Sequence, residues 1–255
     1  MLSVQNLDKR FGGVHATRNV SIDFPDGSLT AIIGPNGAGK TTFFNLISGA
    51  FRPNSGKVIF DGQDIVGKSS LEVVRLGMTR AFQVAEIFPS LTVTEAIMAT
   101  VISHLRKSWT FLRRFPVAEA RTRTEEIIEL LGLADKAGTL SRNLSHGDQK
   151  LLDIGLALAM EPKVLLLDEP TAGMGPDERW RMIGKVQHLW QVKKMTVLFI
   201  EHDMDIVFKI AQRIHVLKYG AVLAQGTADE IRRNQDVIDA YLGADHHLFA
   251  AVGEA

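Results

Sequence analysis

Gly34-Pro35-Asn36-Gly37-Ala38-Gly39-Lys40-Thr41 stands between an apolar, β-branched run, Ser28 to Ile33, and a helical pattern from Thr41 to Ser48. The stretch fits GxxxxGK[ST], and its setting, strand before and helix after, is the context such a phosphate-binding loop requires. Its glycines let the backbone bend so that successive N–H groups point inward at phosphate oxygens. The helix that opens at the lysine adds the positive end of its dipole. Lys40 can reach the β and γ phosphates of a nucleotide, and the Thr41 hydroxyl can hold Mg²⁺. The candidate nucleotide contacts are therefore Gly34, Pro35, Asn36, Gly37, Ala38, Gly39, Lys40, Thr41 and Thr42.

Working outward, Val164-Leu165-Leu166-Leu167-Asp168-Glu169 is an apolar strand that ends in two carboxylates. Buried charges are costly unless paired or bound to a metal, so core packing does not explain them. Asp168, at the strand's carboxyl end, suits a Mg²⁺ shell, and Glu169 is placed to orient or deprotonate an attacking water. Further apolar runs at Met195 to Ile200 and Ile214 to Leu217 read as buried parallel strands. Val20, Ile22 and Phe24 alternate with polar residues, as in a strand with one wet face. Helical patterns at Pro176 to Lys193 and Met204 to Ala211 separate the later strands. This alternation predicts an α/β fold with a mostly parallel sheet. From about Pro89 to Leu140 the pattern is helical only, clearest at Thr94 to Leu105 and at Val117 to Leu131, which stops at Gly132. The expected organisation is one domain over 1–243, with an α/β core at 1–88 and 141–243, a helical insertion at 89–140, and a loosely held tail at 244–255.

The composition of the 255 residues narrows the function classes. Lys plus Arg and Asp plus Glu each total 29, so there is no basic excess of the kind a broad nucleic-acid surface needs. The absence of cysteine excludes disulfides, Cys-ligated zinc and thiol catalysis. No stretch approaches the roughly 20 apolar residues of a membrane span, and the N-terminal MLSVQNLDKR does not read as a secretory signal.

Leu144-Ser145-His146-Gly147-Asp148-Gln149, some twenty residues before the carboxylate-tipped strand, is similar to the signature loop Leu-Ser-Gly-Gly-Gln of ABC transporter ATP-binding subunits. With the phosphate loop, the chain resembles that family over roughly Met1 to Gly243. The resemblance implies a P-loop NTPase core with an N-terminal antiparallel β part and an inserted helical subdomain. It implies that ATP and Mg²⁺ are bound, and that Ser145 and Gly147 meet the γ-phosphate held by a second ATP-binding subunit, head to tail. Gln83, in Thr79-Arg80-Ala81-Phe82-Gln83, matches the family's glutamine that senses Mg²⁺ or the attacking water. His202, in Ile200-Glu201-His202-Asp203, matches the histidine that contacts the γ-phosphate, at the carboxyl edge of the sheet where ligands bind. Phe11, 23 residues before Gly34, stands where the family places an aromatic against adenine; a core phenylalanine is the competing reading.

The implied mechanism is ATP hydrolysis that drives two membrane permease subunits fed by a periplasmic solute-binding protein, from the cytoplasmic face of the inner membrane, with no nucleic acid involved. Phe11-Gly12-Gly13 and the closing Val237-Ile238-Asp239-Ala240-Tyr241-Leu242-Gly243 resemble the branched-chain amino acid branch. Urea, amides or aromatic acids are the other solutes of that branch, and a soluble ABC ATPase acting on nucleic acid is the remaining alternative. Two departures stand out: His146 and Asp148 in the signature loop, and Gly175 where an aspartate is usual. The second ATPase is a sibling or an identical copy. The span His104 to Arg123 carries Arg106, Lys107, Arg113, Arg114, Arg121 and Arg123 among Trp109, Phe111 and Phe115. It reads either as a solvated helical face or as a patch near anionic headgroups or the permease. His246-His247 is a weak metal candidate.

Overall fold

The structure, a computed structural model, describes residues 1–81, 88–105 and 118–242. Strands β1 (Leu2–Phe11) and β2 (Val14–Phe24) form a hairpin, followed by β3 (Leu29–Ile33) and helix α1 (Lys40–Ile47). Next come β4 (Ser55–Phe60), the short β5 (Gln63–Asp64), α2 (Ser70–Leu76) and β6 (Met78–Ala81). The helical stretch holds α3 (Val93–His104) and α4 (Ala118–Leu131), and α5 (His146–Leu158) leads back to β7 (Val164–Asp168). The remainder is α6 (Pro176–Lys193), β8 (Thr196–Ile200), α7 (Met204–Ile210), β9 (Arg213–Lys218), β10 (Ala221–Gly226), α8 (Ala228–Arg232) and α9 (Gln235–Leu242).

Two sheets result. One is antiparallel in the order β2-β1-β4-β5; the other runs β10-β9-β3-β8-β7-β6 and is parallel except for β10. Every residue of β3, β7 and β8 is buried, because both faces of the larger sheet are covered. The two-residue period of a strand sorts those side chains cleanly. Leu29, Ala31, Ile33, Leu165, Leu167, Val197 and Phe199 face the cluster shared with α3 to α7. Ile32, Val164, Leu166, Leu198 and Ile200 face the cluster shared with α1, α2 and the antiparallel sheet. The helical stretch therefore has no core of its own among the described residues: Ile97, Ile127 and Leu131 pack in the same cluster as the sheet.

Helix ends follow local chemistry. Ser69 with Glu72, Thr92 with Glu95 and Thr227 with Glu230 form capping boxes at α2, α3 and α8. Pro176 opens α6, with Asp177 and Glu178 in its first turn, where the helix dipole favours acids. The parallel register then does the positioning. Ile32 pairs with Ile200, Asp168 pairs with Ile200, and Ala81 pairs with Leu167. The carboxyl ends of β3, β7, β8 and β6 thus reach one edge together. The expected Gln83 lies in 82–87, outside the described residues, as do most of the basic segment and the tail histidines.

Candidate nucleotide site

The loop after β3 is pressed against neighbouring backbone. Gly39, the N-cap of α1, has φ +98°, and a side chain there would collide with the Ala16 carbonyl of β2. A side chain at Gly34 would collide with the Leu217 carbonyl of β9. Only glycine permits both approaches. Lys40 is 6% exposed, and its ammonium donates to the carbonyls of Gly34 (2.7 Å) and Pro35 (3.2 Å). Burial lowers its pKa, against the pull of Glu169 and Asp168.

The loop from Asn36 to Thr42 lines one wall of a cleft of about 560 Å³. Glu169 and His202 line it too, with the histidine Nε2 3.0 Å from Glu169 Oε1. The two come from β7 and β8, and the Glu169 N–H donates to the Ile200 carbonyl at 3.0 Å. Glu169 adopts the left-handed conformation (φ +48°), unusual for a residue with a side chain. Phe11, Val14, His15 and Tyr219 line the same cleft. Phe11 belongs to neither core: it is 43% exposed and meets Phe51 edge-on at 5.5 Å. Among the cleft residues, the phosphate loop, Phe11, Glu169 and His202 were expected from sequence; Tyr219 was not.

Asp168 is buried at the end of β7 and pairs with Arg80 Nη2 at 2.5 Å, while Arg80 Nη1 donates to Asn45. Glu201, 3% exposed, accepts the N–H (3.0 Å) and hydroxyl (2.7 Å) of Thr171, bracing the turn after Glu169. Neither role is readable in a linear chain, although a carboxylate next to an expected site histidine was a signal. No group of three or more His, Asp or Glu that could cage a metal occurs among the described residues. The hard oxygens at hand, Thr41 hydroxyl and Asp168 carboxylate, suit a cation that keeps waters and takes its remaining oxygens from phosphate, as Mg²⁺ does.

Ser145 and Gly147 lie elsewhere. They line a separate cleft of about 290 Å³ with Lys136, Asp148, Glu178 and Lys185, sharing no residue with the first. Ser145 N-caps α5: its Oγ accepts the Asp148 N–H and donates to Asp148 Oδ2 at 2.6 Å. Lys136 Nζ meets the same carboxylate oxygen at 2.7 Å. Burial pushes the Asp148 pKa up, but the hydrogen bonds from Lys136 and Ser145 outweigh it and hold the group below its ordinary value. The departure at 148 thus places a fixed anion at the helix mouth. Gly175, the other departure, N-caps α6 without a side-chain hydrogen bond. In the part of the basic segment that is described, Arg121 pairs with Glu125, and Arg123 with Glu119 and Glu161.

Residues 17–172 match the family model described as ABC transporter, and residues 221–247 match the one described as branched-chain amino acid ATP-binding cassette transporter. The high-affinity branched-chain amino acid transport ATP-binding protein LivG of Escherichia coli (strain K12) is 38% identical over 251 residues, covering 95% of this chain and 98% of the relative. BraF of Pseudomonas aeruginosa, described in the same terms, is 36% identical over 249 residues, covering 95% and 98%. Among solved structures, the ADP conformation of MJ1267, an ATP-binding cassette of an ABC transporter, superposes with a TM-score of 0.81 at 30% identity, covering 95% of this chain and 98% of the other. A dimeric post-hydrolysis state of the cassette MJ0796, bound to ADP and Pi, gives 0.75 at 25% identity, covering 89% and 99%.

Proposed function

Because the chain belongs to the ABC transporter family, as one of its ATP-binding cassettes, we propose that it hydrolyses ATP to power an importer of branched-chain amino acids. The observation that carries the chemistry is the Glu169–His202 pair, 3.0 Å apart, lining the same cleft as the phosphate loop. Lys40 and the loop N–H groups neutralise phosphate charge. Glu169 takes the proton of the attacking water, and His202 orients both the carboxylate and the γ-phosphate. Rate then comes from positioning and preset electrostatics, without a covalent intermediate. Thr41, Asp168 and Gln83 would hold Mg²⁺, which supplies charge neutralisation at the β and γ oxygens. Phe11 offers its ring to the adenine.

The separation of Ser145 and Gly147 from the phosphate loop supports a head-to-tail pair of ATPase subunits, in which each γ-phosphate meets the loop of one chain and the helix mouth of the other. The dimeric MJ0796 cassette, bound to ADP and Pi, supports a pair of ATPase subunits. The other partners are two permease subunits, with a periplasmic binding protein acting through them. No helix among the described residues is long and apolar enough to cross a membrane. The naming of its relatives as transporter ATP-binding proteins supports a peripheral place for the subunit on the cytoplasmic face of the membrane, beside the permeases. The names of the relatives favour branched-chain amino acids over urea or other amides. Glu169→Gln should retain ATP binding and lose about 10²- to 10⁴-fold in hydrolysis, the usual contribution of a positioned base; hydrolysis at the wild-type rate would overturn the assignment.

A further inference from the structure

We infer that Lys150 is a positioning residue for hydrolysis: its ammonium, carried on α5, clamps the carbonyl of Glu169 and so ties the orientation of that carboxylate to the helix that begins at Ser145. The inference rests on the reading of Glu169 as the base. Lys150 is 5% exposed, and its Nζ donates to the carbonyls of Glu169 (2.8 Å) and Ala172 (3.0 Å). Taking an ammonium out of water is costly unless it is paired. Here two carbonyls receive it, and Glu201, Glu169, Asp153 and Asp168 surround it and oppose the lowering of its pKa by burial.

The turn it grips needs holding. Glu169 is left-handed (φ +48°), a conformation that is strained for a side-chain-bearing residue and persists only where the surroundings impose it. Besides the Glu169 N–H on the Ile200 carbonyl, three contacts impose it. The Ala172 N–H closes the turn onto the Glu169 carbonyl at 3.1 Å, Glu201 holds Thr171 from the β8 side, and Lys150 holds the carbonyl from α5. Of the three, only Lys150 comes from the helix capped by Ser145. That helix is a rigid rod in which Lys150 follows Ser145 by five residues, about 7.5 Å along the axis. His146, in the first turn of α5, adds a second link, with its Nε2 3.3 Å from the Ala172 carbonyl. A phosphate gripped at Ser145 that tilts or advances α5 therefore displaces the clamp on Glu169. The general base reports whether the helix mouth is engaged.

The test uses the full chain. Lys150→Met removes the cation at similar length and should lower kcat on the order of tenfold or more, as a misplaced general base implies. ATP affinity and KM should stay within about twofold, since no phosphate contact is touched. Lys150→Arg, which keeps a buried cation, should recover most of kcat; a mere structural brace would lower kcat and ATP affinity together. Should Lys150→Met yield no folded protein, Lys150→Gln compared with Lys150→Arg asks the same question. Unchanged kcat in the uncharged variants, or kcat and affinity falling in parallel, would overturn the inference. Glu169→Gln measured alongside separates the two levels: if it hydrolyses ATP normally, the base assignment is what fails.

Discussion

Asp153 lies on α5 with 5% exposure, and its Oδ2 reaches no hydrogen-bond partner among the described residues. Burial pushes its pKa up from 3.8 to about 7, with Lys150 pulling the other way. A carboxyl whose folded value is raised weakens the fold as pH climbs. Its stability is intact below the unfolded value, is lost between 3.8 and about 7, and stays lost above. At about 1.36 kcal/mol per pKa unit, the penalty is about 2 kcal/mol at pH 5 and about 4 kcal/mol at pH 8. Asp153→Asn keeps the shape and removes the ionisation. Its amide brings a desolvation cost of its own, but that cost does not vary with pH. The variant should therefore gain about 2–3 kcal/mol on the wild type between pH 5 and pH 8. This corresponds to a change of roughly 5–10 °C in the difference between the two melting temperatures, for a chain of this size. Urea titrations of both proteins at pH 5, 6.5 and 8, with melting curves alongside, measure it. A stability difference that stays constant across that range would refute the burial argument.

Two further expectations concern the clefts. In a Glu169→Gln background that retains ATP, Asp148→Asn should tighten ATP-dependent association, because a phosphate on Ser145 would sit about 5 Å from the present carboxylate, a repulsion of about 1–3 kcal/mol at surface dielectrics. Sedimentation of the two proteins with ATP is the measurement, and equal or weaker association in Asp148→Asn counts against a phosphate at that helix mouth. Tyr219→Ala should weaken ATP binding by about five- to a hundredfold if the ring stacks on the base, while Tyr219→Phe should bind as the wild type does. Equal binding by all three proteins in a fluorescence titration would remove Tyr219 from the base site.

Much of this site could be read along the chain because it is built from short-range chemistry. The phosphate loop needs glycines and a lysine at set spacing, and the Val164 to Asp168 strand announces itself by ending an apolar run in carboxylates. Serine at 145 was legible as a helix start, and it does cap α5. What escaped the sequence was how these pieces are held. Asp168 pairs with Arg80, 88 positions away, a partner that the order of the chain does not announce. The anion at the mouth of α5 is the chain's own Asp148, neutralised by Lys136 from the preceding connection.

The decisive contrast is between local geometry and long-range register. A glycine-rich turn, an N-cap or a buried strand is specified within a few residues, because φ/ψ preferences, capping hydrogen bonds and burial patterns act over that range. The clamp of Lys150 on Glu169, the brace of Glu201 on Thr171 and the entry of Tyr219 into the cleft of Phe11 join residues far apart in the chain. Those contacts exist only once β3, β7, β8 and β9 align side by side. A buried charge is tolerable only where partners from separate elements arrive together, and only the folded sheet delivers them.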